Sequence, residues 1–260
     1  MVSVLLASAL AVAGLLLATW LVSLARRDAS IVDIVWGLAF VTVAVVAGLV
    51  GDGSSDRRWL LAGLVAVWGL RLAGYLAWRN LGHGEDYRYR AMRKHYGTRF
   101  ATVSLVRVFG LQALLVWIVS LPVQLSASAE RPPSLGLLAG VGVALWAVGL
   151  FFETVGDIQL ARFKQDSAEQ GQVMDRGLWR YTRHPNYFGD CCVWWGVFLV
   201  GAETGPGRWG VVGPVVMTVL LLRVSGVALL ERSLTKRRPG YADYVARTSA
   251  FIPLPPRRAR

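Results

Sequence analysis

The feature that most constrains this chain is a series of apolar runs, each about as long as a bilayer is thick. Val4–Leu24, Ile31–Val50, Trp59–Trp78, Leu105–Val123, Leu135–Thr154 and Gly210–Leu230 carry no more than one charge apiece. Each has roughly the 20 residues that a helix needs to cross the hydrocarbon layer. Asn186–Gly201 is a shorter candidate and brings the expected number of spans to seven. Lipid offers backbone N–H and C=O groups no partners, so such spans must be helical. The expected fold is therefore all-α: a polytopic membrane protein in which residues 1–260 form a single integral membrane domain.

Composition agrees. Hydrophobic residues make up 55% of the chain, 11 residues are tryptophan, and the mean hydropathy is +0.47. A net charge of +12 would suggest nucleic acid in a soluble protein. Here it is explained by cytoplasmic loops and anionic lipid headgroups, and no nucleic-acid partner is expected. Lys and Arg crowd residues 26–27, 79–107, 162–183 and 232–260, whereas the alternate loops hold only Arg57, Arg58, Arg131 and Arg208. The positive-inside rule then puts the N-terminus outside and the C-terminus in the cytoplasm. The first run lacks the basic N-terminal flank of a signal peptide and is followed by Arg26 and Arg27, so it reads as a first transmembrane helix. No internal repeat supports an inverted-repeat transporter. Adjacent Cys191 and Cys192 are badly placed to bridge each other and read as small packing residues.

Ionisable groups inside spans are functional candidates by default. Asp33 lies early in the second run and Arg71 deep in the third, and an ion pair between them would satisfy both. Glu153 and Asp157, four apart on one helical face, end the fifth run, where the helix dipole disfavours carboxylates. Arg223 and Glu231 share a face of the last. The densest chemistry lies in Gly177-Leu-Trp-Arg-Tyr-Thr-Arg-His-Pro-Asn-Tyr-Phe-Gly-Asp190, where two arginines, a histidine, an amide and aromatic rings alternate at the mouth of an apolar helix. That composition suits a polyanionic, partly aromatic ligand. Two further segments are dense in chemistry: Gly82–Tyr89, with Glu85, Asp86 and Arg88 between aromatic rings, and Lys236–Tyr244, which is basic with interleaved tyrosines. Each reads either as a solvated or headgroup-binding surface or as a wall of the same site.

These motifs resemble the steroid 5-alpha-reductase family, and within it the bacterial DUF1295 branch. The resemblance is carried by Phe151–Asp157, Gly177–Asp190, Arg238-Pro-Gly-Tyr241 with Tyr244, and Thr248–Pro253. Ser30–Gly37, Arg79-Asn80 and Gly84–Tyr89 extend it across nearly the whole chain. It implies a membrane reductase that binds NADPH between its C-terminal helices and cytoplasmic loops. Residues 1–125 would form the substrate-side helices and residues 134–260 the cofactor half. Carried over residue by residue, the implied cofactor contacts are Glu153, Asp157, Lys164, Trp179, Tyr181, Arg183, His184, Asn186, Tyr187, Asp190, Arg223, Arg238, Tyr241 and Tyr244. The family's catalytic glutamate falls on Asp33. Its tyrosine falls on Trp68, which cannot donate a phenolic proton, and Tyr75, two helical turns on, takes that role if the register differs. Arg71 is the electrostatic alternative. No G-x-G-x-x-G motif follows a strand, which excludes a Rossmann site. No metal is expected, since neither the cysteines nor the histidines have ligand spacing.

The expected activity is reduction of a carbon–carbon double bond in a lipid-soluble, sterol- or enone-like substrate by NADPH, in a bacterial inner membrane. A second reading rests on Arg183-His-Pro-Asn-Tyr187 and on Glu231, Leu234, Tyr241 and Tyr244. These also resemble isoprenylcysteine and phospholipid methyltransferases, which use S-adenosylmethionine. Glu153–Asp157, Trp179 and Asp190 favour the reductase. A non-enzymatic lipid-binding protein is the third class.

Overall fold

The computed structural model describes residues 1–166, 169, 171–224 and 240–257. The regular elements among them are helices, joined by one isolated parallel bridge between Thr182 and Ser249. Six helices are long and apolar enough to cross a membrane: Val2–Arg26 (α1), Ile31–Val50 (α2), Ser55–Asn80 (α3), the composite Tyr87–Val119, Leu137–Gln165 (α8) and the composite Pro206–Val224. The segment expected to supply the remaining span is the 18-residue helix Pro185–Ala202 (α9). Asn186, Tyr187 and Asp190 make its first two turns polar, and it is not one of the six.

The chain divides into two compact units: Met1–Gly140 with Val197–Gly213, and Val141–Gly196 with Pro214–Arg260. In the first unit α1, α2 and α3 pack in chain order. Val12 and Leu16, then Phe40 and Val43, then Leu61, Val65 and Trp68 are almost wholly buried. The Phe40 and Trp68 rings meet edge-on at 5.4 Å. Helices α2 and α3 approach so closely that a β-carbon on Gly37 would lie 2.4 Å from the Gly69 carbonyl oxygen. Without a hydrophobic drive between helices in lipid, such small-residue crossings supply the packing. At the far end of α2, Arg58 Nη1 donates to the Gly48 carbonyl at 2.6 Å and to that of Gly51, satisfying carbonyls the helix leaves open. The turn that follows is pinned by Gly53 N–H to Ala127 O at 3.0 Å and Ser54 N–H to Ala129 O at 3.1 Å.

The fourth apolar run departs from a single span over Leu105–Val123. Helix α4 (Tyr87–Tyr96) leads through a 3₁₀ turn and α5 (Phe100–Ser104) into a π-helical stretch, Leu105–Gly110, then α6 (Leu111–Val119). The helix breaks at Ser120, and Pro122 opens the short α7 (Leu121–Ser126). Proline has no N–H to continue a helix but is at home in a first turn.

In the second unit α8 runs to Gln165 rather than ending at Thr154. The residues after Asp157 contain no glycine or proline until the helix ends, so nothing local stops it. Glu153 and Asp157 therefore sit more than two turns inside the helix, clear of the last-turn dipole that the shorter span would have placed against them. The unit also contains the Gly177–Arg180 3₁₀ turn, α9 up to Gly196, α10 (Val212–Val219) from Pro214 on, π-helical Leu220–Val224 and α11 (Tyr241–Arg247).

Candidate functional site

The stretch Gly177–Asp190 is held from two sides within the second unit. On the α8 side, Trp179 Nε1 donates to the Gly156 carbonyl at 3.1 Å and the Leu178 N–H donates to Gln159 Oε1 at 3.0 Å. On the C-terminal side, Thr182 Oγ1 donates to Phe251 O at 2.8 Å, Arg183 N–H to Ser249 O at 2.9 Å and Leu254 N–H to Tyr181 O at 3.0 Å. The Arg183 guanidinium is buried and donates to the carbonyls of Val245 and Thr248. The Tyr244 phenol, also buried, donates to the Trp179 carbonyl. Burial first, and Tyr241 beside it, push that phenol above the usual tyrosine range. Gly177–Asp190 and Thr248–Pro253, two of the segments that carried the family resemblance, thus lie together.

Pro185 starts α9 where its missing N–H costs nothing. From the first turn of α9, Asn186 Nδ2 donates to Asp157 Oδ1 on α8 at 3.1 Å, while the Asn186 amide oxygen accepts from Tyr187 N–H at 3.1 Å. Glu153, Asp157 and His184 are buried. The His184 and Tyr187 rings stack in parallel with centroids 5.4 Å apart. Helices α8 and α9 touch backbone to backbone here, for a β-carbon on Gly189 would lie 2.5 Å from both Glu153 N and Gly149 O.

Five expected residues, Lys164, Trp179, Arg183, Tyr241 and Tyr244, line one cavity of about 160 Å³ with Leu160, Phe163 and Met174. An apolar, aromatic hollow with a lysine and an arginine at its wall can take a flat ring that carries or adjoins negative charge. Tyr181 is exposed and lies outside that lining, as does Arg223, exposed on the π-helical segment. Arg238, Glu231 and Leu234 lie outside the described residues. Cys191 and Cys192 are buried free thiols, the former 3.3 Å from Thr218 Oγ1.

Asp33, Arg71 and Tyr75 belong to the first unit. The expected pair of Asp33 with Arg71 does not form: Asp33 accepts from Arg88 Nη2 at 2.8 Å and from the Tyr89 hydroxyl at 2.8 Å. Asp33 is two residues from its end of α2, while Arg71 stands nine residues before Asn80 on α3, roughly 10 Å further along. Arg71 instead has its guanidinium carbon 5.6 Å from the Tyr75 ring centroid. Around Asp33 the loop before α2 is laced to the start of α4: Asp86 N–H donates to Ser30 Oγ at 3.0 Å, and Ala29 N–H to Glu85 Oε1 at 2.9 Å. Asp86 caps α4 through the Arg88 N–H. Burial works against the Asp86 carboxylate, but hydrogen bonds from the Arg88 guanidinium and backbone outweigh it and hold its pKa below the usual range. The Ser30–Gly37 and Gly84–Tyr89 motifs are thus one cluster. Tyr89, which no position-by-position carry-over singled out, provides its buried phenol.

A family described as "Protein of unknown function (DUF1295)" matches residues 19–248. The chain belongs to the DUF1295 family. The match reaches into both units and covers the five expected residues that line the aromatic cavity. This DUF1295 protein is also similar to an uncharacterized protein, C594.04c, of Schizosaccharomyces pombe, 24% identical over 270 residues that cover 90% of this chain and 75% of the relative. No solved structure matches the chain.

Proposed function

We propose that this DUF1295 protein is an NADPH-dependent membrane oxidoreductase that reduces a carbon–carbon double bond of a lipid-soluble substrate. The observation that carries the reading is the cavity in which Lys164, Arg183, Trp179, Tyr241 and Tyr244 meet. The same residues are those the steroid 5-alpha-reductase resemblance implies for the nucleotide. Their chemistry suits it: the Lys164 ammonium for phosphate, aromatic faces for a base or nicotinamide, and the Arg183 guanidinium as a nearby positive charge. At about 160 Å³ the cavity is smaller than whole-ligand pockets of roughly 300 Å³ and more, so it accounts for one ring system of the cofactor.

NADPH, when bound, supplies the reducing equivalent, and the protein supplies orientation and dryness. In this reading Trp179 and Tyr244 form a rigid wall, because each is tied by its polar atom to a backbone carbonyl. Arg183 positions the C-terminal segment against the site. Asn186 and Asp157 hold the mouth of α9 against α8. Asp33 is held as an acceptor by Arg88 and Tyr89, so its part is to position those two side chains. We further propose that α9 completes a seven-span topology, N-terminus outside and C-terminus cytoplasmic, in a bacterial inner membrane. The loop charge bias supports this, as does the use of Arg57 and Arg58, on the sparse side, in internal hydrogen bonds.

The test is titration of purified protein in detergent with NADPH and, separately, with S-adenosylmethionine, followed by thermal unfolding. A ligand that binds the folded state raises the melting temperature. NADPH should raise it, and oxidation of NADPH should then depend on an added sterol, enoyl lipid or quinone. A shift with S-adenosylmethionine alone would replace this reading with a methyltransferase, and a shift with neither would remove both.

A further inference from the structure

A second concavity of the same unit is chemically unlike the first. A groove of about 540 Å³ is lined by Arg176, Arg180, Arg247 and Arg257, with Asp175 and Thr248 between them. The arginines come from two separate parts of the chain, the Asp175–Arg180 turn and the C-terminal segment. The tail is clasped back onto α11 by Arg257 N–H to Arg247 O at 2.9 Å, which is what brings the last arginine to the groove. Two of the guanidiniums have carboxylate partners: Arg247 with Asp175, and Arg176 with Glu169. Arg180 and Arg257 have none among the described residues. With Arg176 and Arg247 already paired, Arg180 and Arg257 leave the groove with a surplus of positive charge that favours an anion there.

We propose that this groove binds a phosphate-bearing ligand, a phosphomonoester or diphosphate, through Arg180 and Arg257, with Arg176 and Arg247 completing the ring. Guanidinium presents a planar fork of donors that matches phosphate oxygens two at a time, which a lysine cluster would not do. The width also fits: the groove lies within the volume range of small-molecule sites and has more room than one phosphate requires. A third cavity lies between the two, sharing Arg176 and Gly177 with the groove and Phe163 and Met174 with the aromatic cavity. The phosphate's source is either a soluble phosphorylated compound or the headgroup of an anionic lipid. The inference goes beyond the NADPH reading, because none of these four arginines is among the residues assigned to that cofactor.

The test uses the full chain in neutral detergent with inorganic pyrophosphate as the probe and KCl of matched ionic strength as the control for screening. Pyrophosphate should raise the melting temperature above the KCl control. R180Q/R257Q should keep the unliganded melting temperature, since both side chains are exposed, and bind pyrophosphate at least about ten-fold more weakly. R180Q alone should show part of the loss. No response beyond KCl in the wild type, or an unchanged affinity in the double variant, overturns the proposal. Repeating the titration in phosphatidylcholine nanodiscs with and without phosphatidic acid separates the sources. Competition by phosphatidic acid assigns the groove to a lipid headgroup, and unchanged affinity assigns it to a soluble phosphate.

Discussion

Arg57 and Glu203, 146 residues apart in the chain, form a buried ion pair at 3.3 Å. The guanidinium also donates to the carbonyls of Pro132 and Ser134. The other carboxylate oxygen accepts from the N–H groups of Gly136 and Ala139 at 2.9 Å each, so Glu203 caps the start of α8 with a charge its dipole favours. One pair therefore joins α3, the loop before α8, and the turn after α9 within the first unit.

Breaking that pair should be costly. Arg57→Ala leaves Glu203 without its countercharge, and removal of one partner of a buried pair costs about 3–5 kcal/mol. Glu203→Gln keeps an acceptor for Gly136 and Ala139 and should lose less than Glu203→Ala. Thermal unfolding in detergent ranks the three. A melting temperature for Arg57→Ala equal to that of wild type would show that the pair contributes nothing.

The α8–α9 contact makes a second, steric prediction. Gly189→Ala puts a methyl group 2.5 Å from backbone atoms of Glu153 and Gly149, which cannot yield unless the helices separate. Overpacking of this kind costs about 1–3 kcal/mol. At Gly63, where nothing lies within 4 Å of an added β-carbon, alanine should be neutral or slightly stabilising. If both variants melt alike, the close approach is not what sets the helix spacing.

Helix α2 was legible to the residue because it is bracketed by Arg26–Asp28 and by Gly51–Asp52. The π-helical turn at Leu105–Gly110 was not, since a shift of backbone hydrogen bonds leaves an apolar run apolar. The extension of α8 was hidden by the polarity of Glu153–Arg162, which marks the end of a membrane span but not of a helix. Trp179, Arg183 and Tyr244, which the family resemblance had grouped, do line one cavity, but the cavity itself was not legible, because a single sequence does not show which distant segments enclose a hollow. The partner of Asp33 was not legible, because a single sequence says that a carboxylate needs a donor and not which of several nearby arginines supplies it. The arginine groove was concealed for a different reason: exposed arginines in the polar loops between apolar runs are what the positive-inside rule leads one to expect.

Alkaline pH should unfold the second unit partly through Tyr244. Its pKa in the folded protein lies above the unfolded value of about 10. Below that value the group adds no pH dependence. As pH rises past about 10 the unfolded state releases a proton that the folded state retains, so stability falls. Tyr244→Phe should flatten this slope between pH 9 and 11 while costing about 1 kcal/mol at neutral pH for the lost bond to the Trp179 carbonyl. Melting curves across that range check it, and an unchanged alkaline slope would assign the transition to another group.

Asn186 and Asp157 give a prediction that separates charge from packing. Asn186→Ala removes one donor from a buried carboxylate, at a cost of about 1–3 kcal/mol. Asn186→Asp replaces the donor with a second negative charge 3.1 Å from Asp157 Oδ1 and should be the more damaging of the two. Asn186→Ala should also weaken NADPH binding in a titration of folded protein. Full NADPH affinity in that variant would confine Asn186 to holding the helix.

The last prediction concerns Asp33, where structure and chemistry compete. Asp33→Ala leaves the buried Tyr89 phenol without its acceptor, which costs about 1–3 kcal/mol. Asp33→Asn retains an oxygen for Tyr89 and loses only the charge facing the half-exposed Arg88, an interaction worth about 1 kcal/mol or less at such exposure. The melting temperature should therefore fall for Asp33→Ala and hardly move for Asp33→Asn, and NADPH binding should be equal in both. If Asp33 only positions Arg88 and Tyr89, turnover follows the melting temperature and Asp33→Asn stays active. Loss of turnover in a stable Asp33→Asn protein would instead make the carboxylate itself the proton donor.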